Sequence, residues 1–451
     1  MLSQIFNIST KGLDVYRRAL DVTAHNISNS GNKDYTKQVA NIETAIPEFR
    51  DGFIWGAGST ISNVTRVRNQ FIDNRLRQNY QNNSFYNNQS ILLGRTEQAF
   101  TEPSNFGLSN IISSFFNSFN KLAVSPDSSA LRENVVSSAQ SLVSRIKDIH
   151  QNIEAQKDNI YNDYKSKVNG LNNSLKEIKE LNIKISQQLS AGLQPNDLMD
   201  KRDVIIDQIS KLADLQIYNN KNGSVNISIG GVLAVDSNIS VDFKIKLDNG
   251  KLNLTTDGTN NINLLKSGEL GALSNIYSNK IPNYLSSLDA ITNTLFTSVN
   301  NVHSSGYTLE NVPQTGIDFF SSIQNGELEI NKKIIDNPNK IAISADGSPG
   351  NGDLAVQMSL LNDKKLIDGN TLIGQYSNLI STIGGDKSNA DNMASSTNLV
   401  IRQLEDQKTS YSGVSVDEEM SNVIKFQRSY DASAKLISVA DKMLQTLINM
   451  V

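Results

Sequence analysis

Apolar positions recur with helical spacing at both ends of the chain. Within residues 3–28, Ile5, Ile8, Leu13, Tyr16, Leu20 and Ile27 follow at three- to seven-residue steps, with Gly12 the main breaker, which predicts an amphipathic helix. The stretch 415–451 is more regular. Met420, Val423, Tyr430, Ala434, Ile437, Leu444, Leu447 and Val451 alternate by three and four, close to a heptad, and Phe426, Leu436 and Val439 add a second stripe. Ser415 and Glu418 form an S-x-x-E capping box at its start. Asp417, Glu418 and Glu419 place negative charge at the positive end of the helix dipole. A helix with two apolar stripes needs a partner in water, either the other terminus or another subunit.

The middle is of several kinds. Residues 30–66 read as irregular, broken by Asn32, Pro47, Gly52, Gly56 and Gly58. Helices are expected over 71–100 and 108–122. The longest is expected over 125–190, with Ser125 as cap, Pro126 in the first turn and Gly170 as a weak point. One face of it carries Leu142, Ile146, Ile149, Ile153, Ile160, Tyr164, Leu171, Leu175, Ile178, Ile185 and Leu189. Such a helix is on the order of 90 Å long and implies a rod-like domain. A further helix, 197–213, opens at Asn196 and Asp197 after Pro195. The pattern then turns to period two at Val225, Ile227 and Ile229 and again at Ile239, Val241, Phe243, Ile245 and Leu247, with an Asp248-Asn249-Gly250 hairpin turn. Helix returns over 269–303. Leu328, Ile330, Ile341 and Ile343 mark an extended section around Pro338, and a last long helix is expected over 353–410, with breaks at Gly369 and Gly384-Gly385.

The expected fold class is mainly α with a β insertion: a long-helix rod and a small outer β domain, with the terminal helices paired as a coiled coil by the resemblance described below. The expected domains are 1–30 with 413–451 (terminal coiled coil), 31–66 (irregular linker), 67–213 with 269–305 and 350–412 (rod), 214–268 (outer β domain) and 306–349 (extended segment).

Composition narrows the function. Apolar residues make up 38% and aromatics 6%, with Asn and Ser filling the shortfall, which suits a thin seam better than one thick core. The absence of Cys removes disulfides, thiolate metal sites and a Cys nucleophile. A net charge of -4, from 42 basic and 46 acidic residues, gives no polyanion signature. No apolar run reaches the roughly 20 residues of a membrane helix, and residues 1–13 lack the pattern of a cleaved signal peptide.

Candidate chemistry is sparse. His25, His150 and His303 lie far apart and read as solvated or hydrogen-bonded surface residues. Gly56-Ala57-Gly58 reads as a turn. No H-E-x-x-H, G-x-S-x-G or P-loop is present. Asp200, Asp203 and Asp207, with Lys201 and Arg202 beside them, read as a capped, salt-bridged helix face and not a metal site. Asp417-Glu418-Glu419 reads as capping. Arg66 and Arg68 read as an isolated pair, without the interleaved aromatics of a nucleic-acid surface. No catalytic, cofactor-binding or metal-ligating residue is assigned, and an enzyme is disfavoured.

Specific runs carry a resemblance. Ala24-His25-Asn26-Ile27-Ser28-Asn29 followed by Asp34-Tyr35-Thr36-Lys37-Gln38 resembles the N-terminal signature of the bacterial flagellar rod, hook and hook-associated proteins. Asp34 stands for the usual Gly and Lys37 for the usual Arg. Residues 412–420, with Phe426-Gln427-Arg428-Ser429-Tyr430 and Ala432-Ser433-Ala434-Lys435, are similar to the C-terminal signature. Pro195-Asn196-Asp197-Leu198-Met199-Asp200-Lys201-Arg202-Asp203 resembles the N-D-L-x-D-x-R-D segment of the hook-associated members, and the helix start from Pro126-Asp127 to Leu131-Arg132 fits them too.

The resemblance implies a structural subunit joining hook to filament. It implies type III export of the unfolded chain, a brief cytoplasmic stage and an extracellular address. Terminal helices disordered in the free monomer would order on assembly. The implied interface is Ile5, Ile8, Leu13, Tyr16, Leu20, Asn26 and Ile27 on the first helix, and Met420, Val423, Tyr430, Ile437, Leu444 and Leu447 on the last. Implied partners are the hook protein, the second junction protein, further copies of the chain in the axial tube, and a cytosolic export chaperone on the C-terminal helix, with no nucleic acid, membrane or cofactor. The alternatives are another axial protein, such as a hook or rod subunit, and a cytosolic coiled-coil adaptor; the long helix and the Asn196–Asp203 segment speak against the first.

Overall fold

Helices dominate the computed structural model, which describes residues 2–50, 52–100, 107–256, 265–324 and 327–449. The N-terminal pattern gives α1 (Leu2–Ser28). Four short strands follow: β1 (Gln38–Thr44), β2 (Glu48–Arg50), β3 (Phe53–Trp55) and β4 (Ser59–Arg66). Then come α2 (Gln70–Phe100), α3 (Leu108–Val124), the 62-residue α4 (Ser129–Ser190) and α5 (Asn196–Leu212). Strands β5 (Leu215–Asn219), β6 (Val225–Ile229), β7 (Val232–Val235), β8 (Lys244–Asp248) and β9 (Lys251–Thr255) precede α6 (Gly268–Asn275) and α7 (Ile281–His303). Last are β10 (Phe320–Gln324), β11 (Glu327–Ile330), α8 (Lys332–Asp336), α9 (Asp353–Leu360), α10 (Leu372–Ser412) and α11 (Val416–Ile448). Val451, included in the expected C-terminal stripe, lies outside the described residues.

The chain divides into two units. The first holds residues 1–83, 170–243 and 396–451, and the second holds 84–169 and 244–395. In the first, β5, β6 and β7 form an antiparallel sheet, and the period-two positions Val225, Ile227 and Ile229 are all buried. The stretch 31–66 differs from the expected irregular linker: β1 pairs with β4 from Gln38↔Arg66 to Thr44↔Ser59, and β2 pairs with β3 between them. Its glycines and Pro47 break the run into short strands without preventing pairing.

In the second unit, β8 and β9 form the expected hairpin. Asn249 (φ 48°) and Gly250 (φ 74°) both occupy the left-handed region that a tight two-residue turn requires. The expected strand around Ile239 and Val241 is absent apart from an isolated bridge at Ser240. Helix 268–303 is continuous, but its turn Ile276–Lys280 is a π-helix. Pro282 lies two residues after Lys280 and has no amide hydrogen to donate to the carbonyl of Ser278, four residues back within this turn.

The long helix starts later than expected. The carbonyl of Pro126 accepts from Arg132 Nε (2.9 Å), and the Ser128 hydroxyl faces the amide of Leu131 (3.4 Å), so Ser128 takes the cap position and α4 begins at Ser129. Gly170 does not interrupt it. Likewise Gly384-Gly385 lies inside an unbroken α10; the break falls at 361–371, where Asp368 and Gly369 take positive φ.

Two histidines are corrected from surface residues to buried ones, since each sits on a helix face that packs inward. His150 lies 3.0 Å from Asp289. His303 is fully buried beside Phe319, within a cluster of Phe115, Phe116, Phe119, Phe319 and Phe320 whose neighbouring rings stand 4.9 to 5.9 Å apart. Its Nδ1 donates to the carbonyl of Ile317 (2.6 Å), and Nε2 accepts from the amide of Ala342 (2.9 Å). Burial, chiefly, lowers its pKa from 6.5 to about 4. The folded state therefore resists a proton that the unfolded chain accepts. The stability this neutral ring contributes is full above pH 6.5 and is lost as the pH falls toward 4, by about 2 kcal/mol at pH 5. An NMR titration checks this: the His303 ring signal should stay in its neutral position through pH 5.5, and protonation near 6.5 would refute it.

Candidate functional site

The two chain ends meet in the first unit. Helices α1 and α11 run antiparallel, with Gly12 against Ser433, the rings of Tyr16 and Phe426 stacked at 6.5 Å, and Asn26 against Glu419. The seam of α1 is made of Ser9, Gly12, Val15, Ala19, Thr23 and Asn26, at three- and four-residue steps. These side chains are small, and a Cβ on Gly12 would stand 2.9 Å from Ser433 Oγ, so the close approach depends on glycine. On α11 the seam holds Glu419, Ser433 and Ala440, with Val423, Phe426, Tyr430 and Ile437 half-buried. Ser415 caps α11 as expected, accepting from the amide of Glu418 at 3.4 Å.

The structure distributes the expected interface residues unevenly. Asn26 is buried. Ile5, Ile8, Leu13, Tyr16, Leu20 and Ile27 are half-buried, flanking the seam. Val423, Tyr430 and Ile437 face α1, whereas Met420, Leu444 and Leu447 are exposed. The exposed apolar residues of α11 form two strips: Val416, Met420 and Ile424 near its start, and Leu436, Val439, Met443 and Leu447 near its end, all 37–53% exposed together with Leu444. The β2–β3 hairpin also presents Phe49, Phe53 and Ile54 outward, at 68–77% exposure.

Beyond the seam lies a polar knot that joins the three sequence signatures. Asn26 Nδ2 donates to the carbonyl of Gln38 (2.8 Å) and to Glu419 Oε2 (3.1 Å); its Oδ1 accepts from Tyr35 Oη (2.7 Å) and from the Gln38 amide (3.0 Å). Burial, with the nearby carboxylates of Asp197, Asp200 and Glu419, pushes the Tyr35 phenol up, so it remains a donor. Lys37 Nζ reaches Glu418 (2.8 Å) and Glu419 (3.4 Å), and its amide donates to Ser412 O (2.9 Å). The acidic run is therefore more than a cap. Gln38 bonds to Asp197 and Asn196, and Thr36 bonds through its amide and hydroxyl to Asp200.

Arg66 and Arg68 are not isolated. Arg66 pairs with Asp200 (2.6 Å) and Asp203 (2.8 Å), Arg68 with Asp73 (2.8 Å) and Asp203, and Arg77 with Asp207 (2.5 Å) and Asp203 (3.4 Å); Lys408 stands 3.5 Å from Asp207. Asp200, Asp203 and Asp207 thus form a salt-bridged face, as expected, but with partners from β4, the segment after it and α2. Arg202 turns away from this face: its Nη1 donates to Asn182 (3.0 Å) and Gly223 O (2.7 Å), and burial, with the three neighbouring guanidiniums, lowers its pKa to about 10. Among the described residues no cluster is arranged to hold a metal ion.

Local sequence signals missed the small seam residues of α1, as well as Thr36, Lys37, Gln38, Arg77 and the role of Glu419. The three- and four-residue spacing of positions 9, 12, 15, 19 and 23 was the available sign, hidden because all but Val15 are small or polar.

Paired chain ends tied by buried polar contacts to a helical body define a structural protein of the axial type. Comparison gives the family. The family model described as flagellar hook-associated protein FlgK helical domain matches residues 93–320, and that described as flagellar basal body rod FlgEFG protein C-terminal matches 407–450. The chain belongs to the FlgK family of flagellar hook-associated proteins. It is a structural protein of the flagellar hook–filament junction. Flagellar hook-associated protein 1 of Bacillus subtilis is 26% identical, the alignment covering 100% of this chain and 99% of that protein; that of Salmonella typhimurium is 23% identical, covering 99% and 100%. In fold, the chain matches the flagellar hook junction protein FlgK from Burkholderia pseudomallei with a TM-score of 0.64 at 14% identity, over 76% of this chain and 100% of that one.

Proposed function

We propose that the α1–α11 pair is the element through which the subunit joins its neighbours, and that the rest of the chain is carried outward on it. The observation that carries this reading is the exposed apolar surface of α11. Its inner seam is already occupied by α1, yet the strips on either side leave large side chains half in water. Further copies of the chain, the hook protein and the second junction protein are the neighbours that would cover them. The β2–β3 hairpin offers a second apolar surface of the same kind. Before export, a cytosolic chaperone would shield α11. Passage of the unfolded chain through the type III channel suits a sequence without thiols to cross-link. The terminal domain 1–30 with 413–451 is the polymerising part in this reading, the protein works outside the cell, and it has no catalytic role.

Introducing Val439→Glu together with Met443→Glu tests the reading without touching the seam. The purified chain should keep its helical content. Incorporation at the junction should fall by about 100-fold or more, because two apolar contacts become buried carboxylates. The expected cells carry hooks and secrete unassembled flagellin. Normal filaments from this variant would overturn the reading.

A further inference from the structure

Glu419 is an unusual seam residue: a carboxylate at 2% exposure inside a two-helix contact. A buried charge holds only where neighbours satisfy it. Two groups meet it. Lys37 Nζ stands 3.4 Å from Oε1 and is shared with Glu418, and Asn26 Nδ2 donates to Oε2 at 3.1 Å. Glu418 brings a second negative charge to the same lysine. Asn26 is neutral, buried, and used at four contacts, three of which hold Tyr35 and Gln38. Its amide can point to Glu419 only because Tyr35 Oη and the Gln38 amide occupy its oxygen and so fix the flip of the group.

The geometry points to Asn26 as the positioning residue that docks the C-terminal helix: it converts the ordering of the 35–38 loop into a donor aimed at Glu419, so that α11 seats only on an α1 whose loop is already closed. This rests on the reading that the two terminal helices act as a pair, and goes beyond it by naming the group that decides when they pair. The coupling is reciprocal in free energy, but the two sides are not equally provided for when apart. Without α11, Asn26 keeps its contacts to Tyr35 and Gln38; without Asn26, Glu419 keeps a buried charge and one shared lysine.

The chain has no cysteine, so a single introduced pair reports docking without background. An ideal Cβ on Gly12 lies 3.6 Å from Ser433 Cβ, within the range of a disulfide. The reporter, Gly12→Cys with Ser433→Cys, lies about 20 Å along α1 from Asn26. Its oxidation rate is measured on the full chain bound to purified hooks, where the terminal helices order, by the mobility shift of the closed loop. The reporter should close readily in the otherwise unchanged chain. Adding Asn26→Asp sets a second carboxylate against Glu419 and should slow closure by about tenfold or more. Adding Glu419→Gln to that variant restores a donor–acceptor pair with the polarity reversed and should return the rate to within about threefold of the Glu419→Gln reporter alone.

Unchanged closure with Asn26→Asp overturns the inference. Slowed closure that Glu419→Gln does not rescue also overturns it, because Asn26 would then act through Gln38 alone. Failure of the reporter in the unaltered sequence does the same. Closure is scored only on chain retained by the hooks, so loss of retention, which bears on the junction reading, is read apart from the rate of closure.

Discussion

Asp203→Ala is expected to destabilise the first unit by about 3–5 kcal/mol. Asp203 is the shared acceptor of Arg66, Arg68 and Arg77, whose side chains are only 8–14% exposed. Its loss leaves three guanidiniums close together, with Asp73, Asp200 and Asp207 as the remaining carboxylates. The cost is therefore that of three buried guanidiniums each losing one of two carboxylates and held close together, and not that of one surface ion pair. Asp242→Ala is the natural control. Asp242 meets Lys176 at 3.0 Å, but both side chains are about half exposed, and this change should shift stability by less than about 1 kcal/mol. Hydrogen exchange in α5 gives the measurement for both variants, because unfolding of a chain with two units need not be two-state. Added salt should erase the small Asp242 effect and leave most of the Asp203 effect. An Asp203→Ala chain with α5 protected as before would refute the account of the network.

Position within local pattern explains which parts of this molecule were legible in its sequence. The cap of α11, the buried stripe of α4 and the turn at Asn249-Gly250 each depend on residues within a few positions of one another, and each formed where the pattern put it. The β1–β4 pairing did not announce itself, because its strands are rich in Asn, Thr and Ser and only partly buried, so period two carries little apolar contrast. Arg66 and Arg68 looked isolated because Asp200 and Asp203 lie more than 130 residues further along the chain, and only Asp73, five residues from Arg68, is near in sequence. Asp200, Asp203 and Asp207 share a helix face by spacing, but nothing local says which cations meet them. The terminal site was half legible in the same way. Large apolar residues marked α1 and α11 as helices that need partners, yet the residues in closest contact are Gly12, Ala19, Ser433 and Ala440, which a search for large side chains passes over.

Removing residues 416–451 is expected to abolish incorporation at the junction while leaving most of the chain folded. The deletion takes away both exposed strips of α11 and the seam that covers Val15 and Ala19, which are now 4% and 1% exposed. What α1 retains is slight: Lys11 Nζ near the carbonyl of Ala57 (3.3 Å), the backbone of Ile8 beside Gly58, and the Asn26–Gln38 bonds at its end. A helix of 27 residues left with these few contacts and an uncovered seam should fray over much of its length, since isolated helices are marginal in water. The knot below it has independent support, because Gln38 still meets Asp197 and Asn196, Thr36 still meets Asp200, and the arginine network needs nothing from α11. Limited proteolysis of the truncated chain should therefore cut within the first ~25 residues and spare β1, β4 and α5. The deletion separates two roles that the Val439→Glu, Met443→Glu variant keeps together. That variant loses only the outward contacts, whereas the deletion loses the inner seam as well. Filaments of normal length from the truncated chain would show that the terminal pair is not the joining element. Cleavage throughout the first unit would show instead that α11 holds up the body to which the knot ties it.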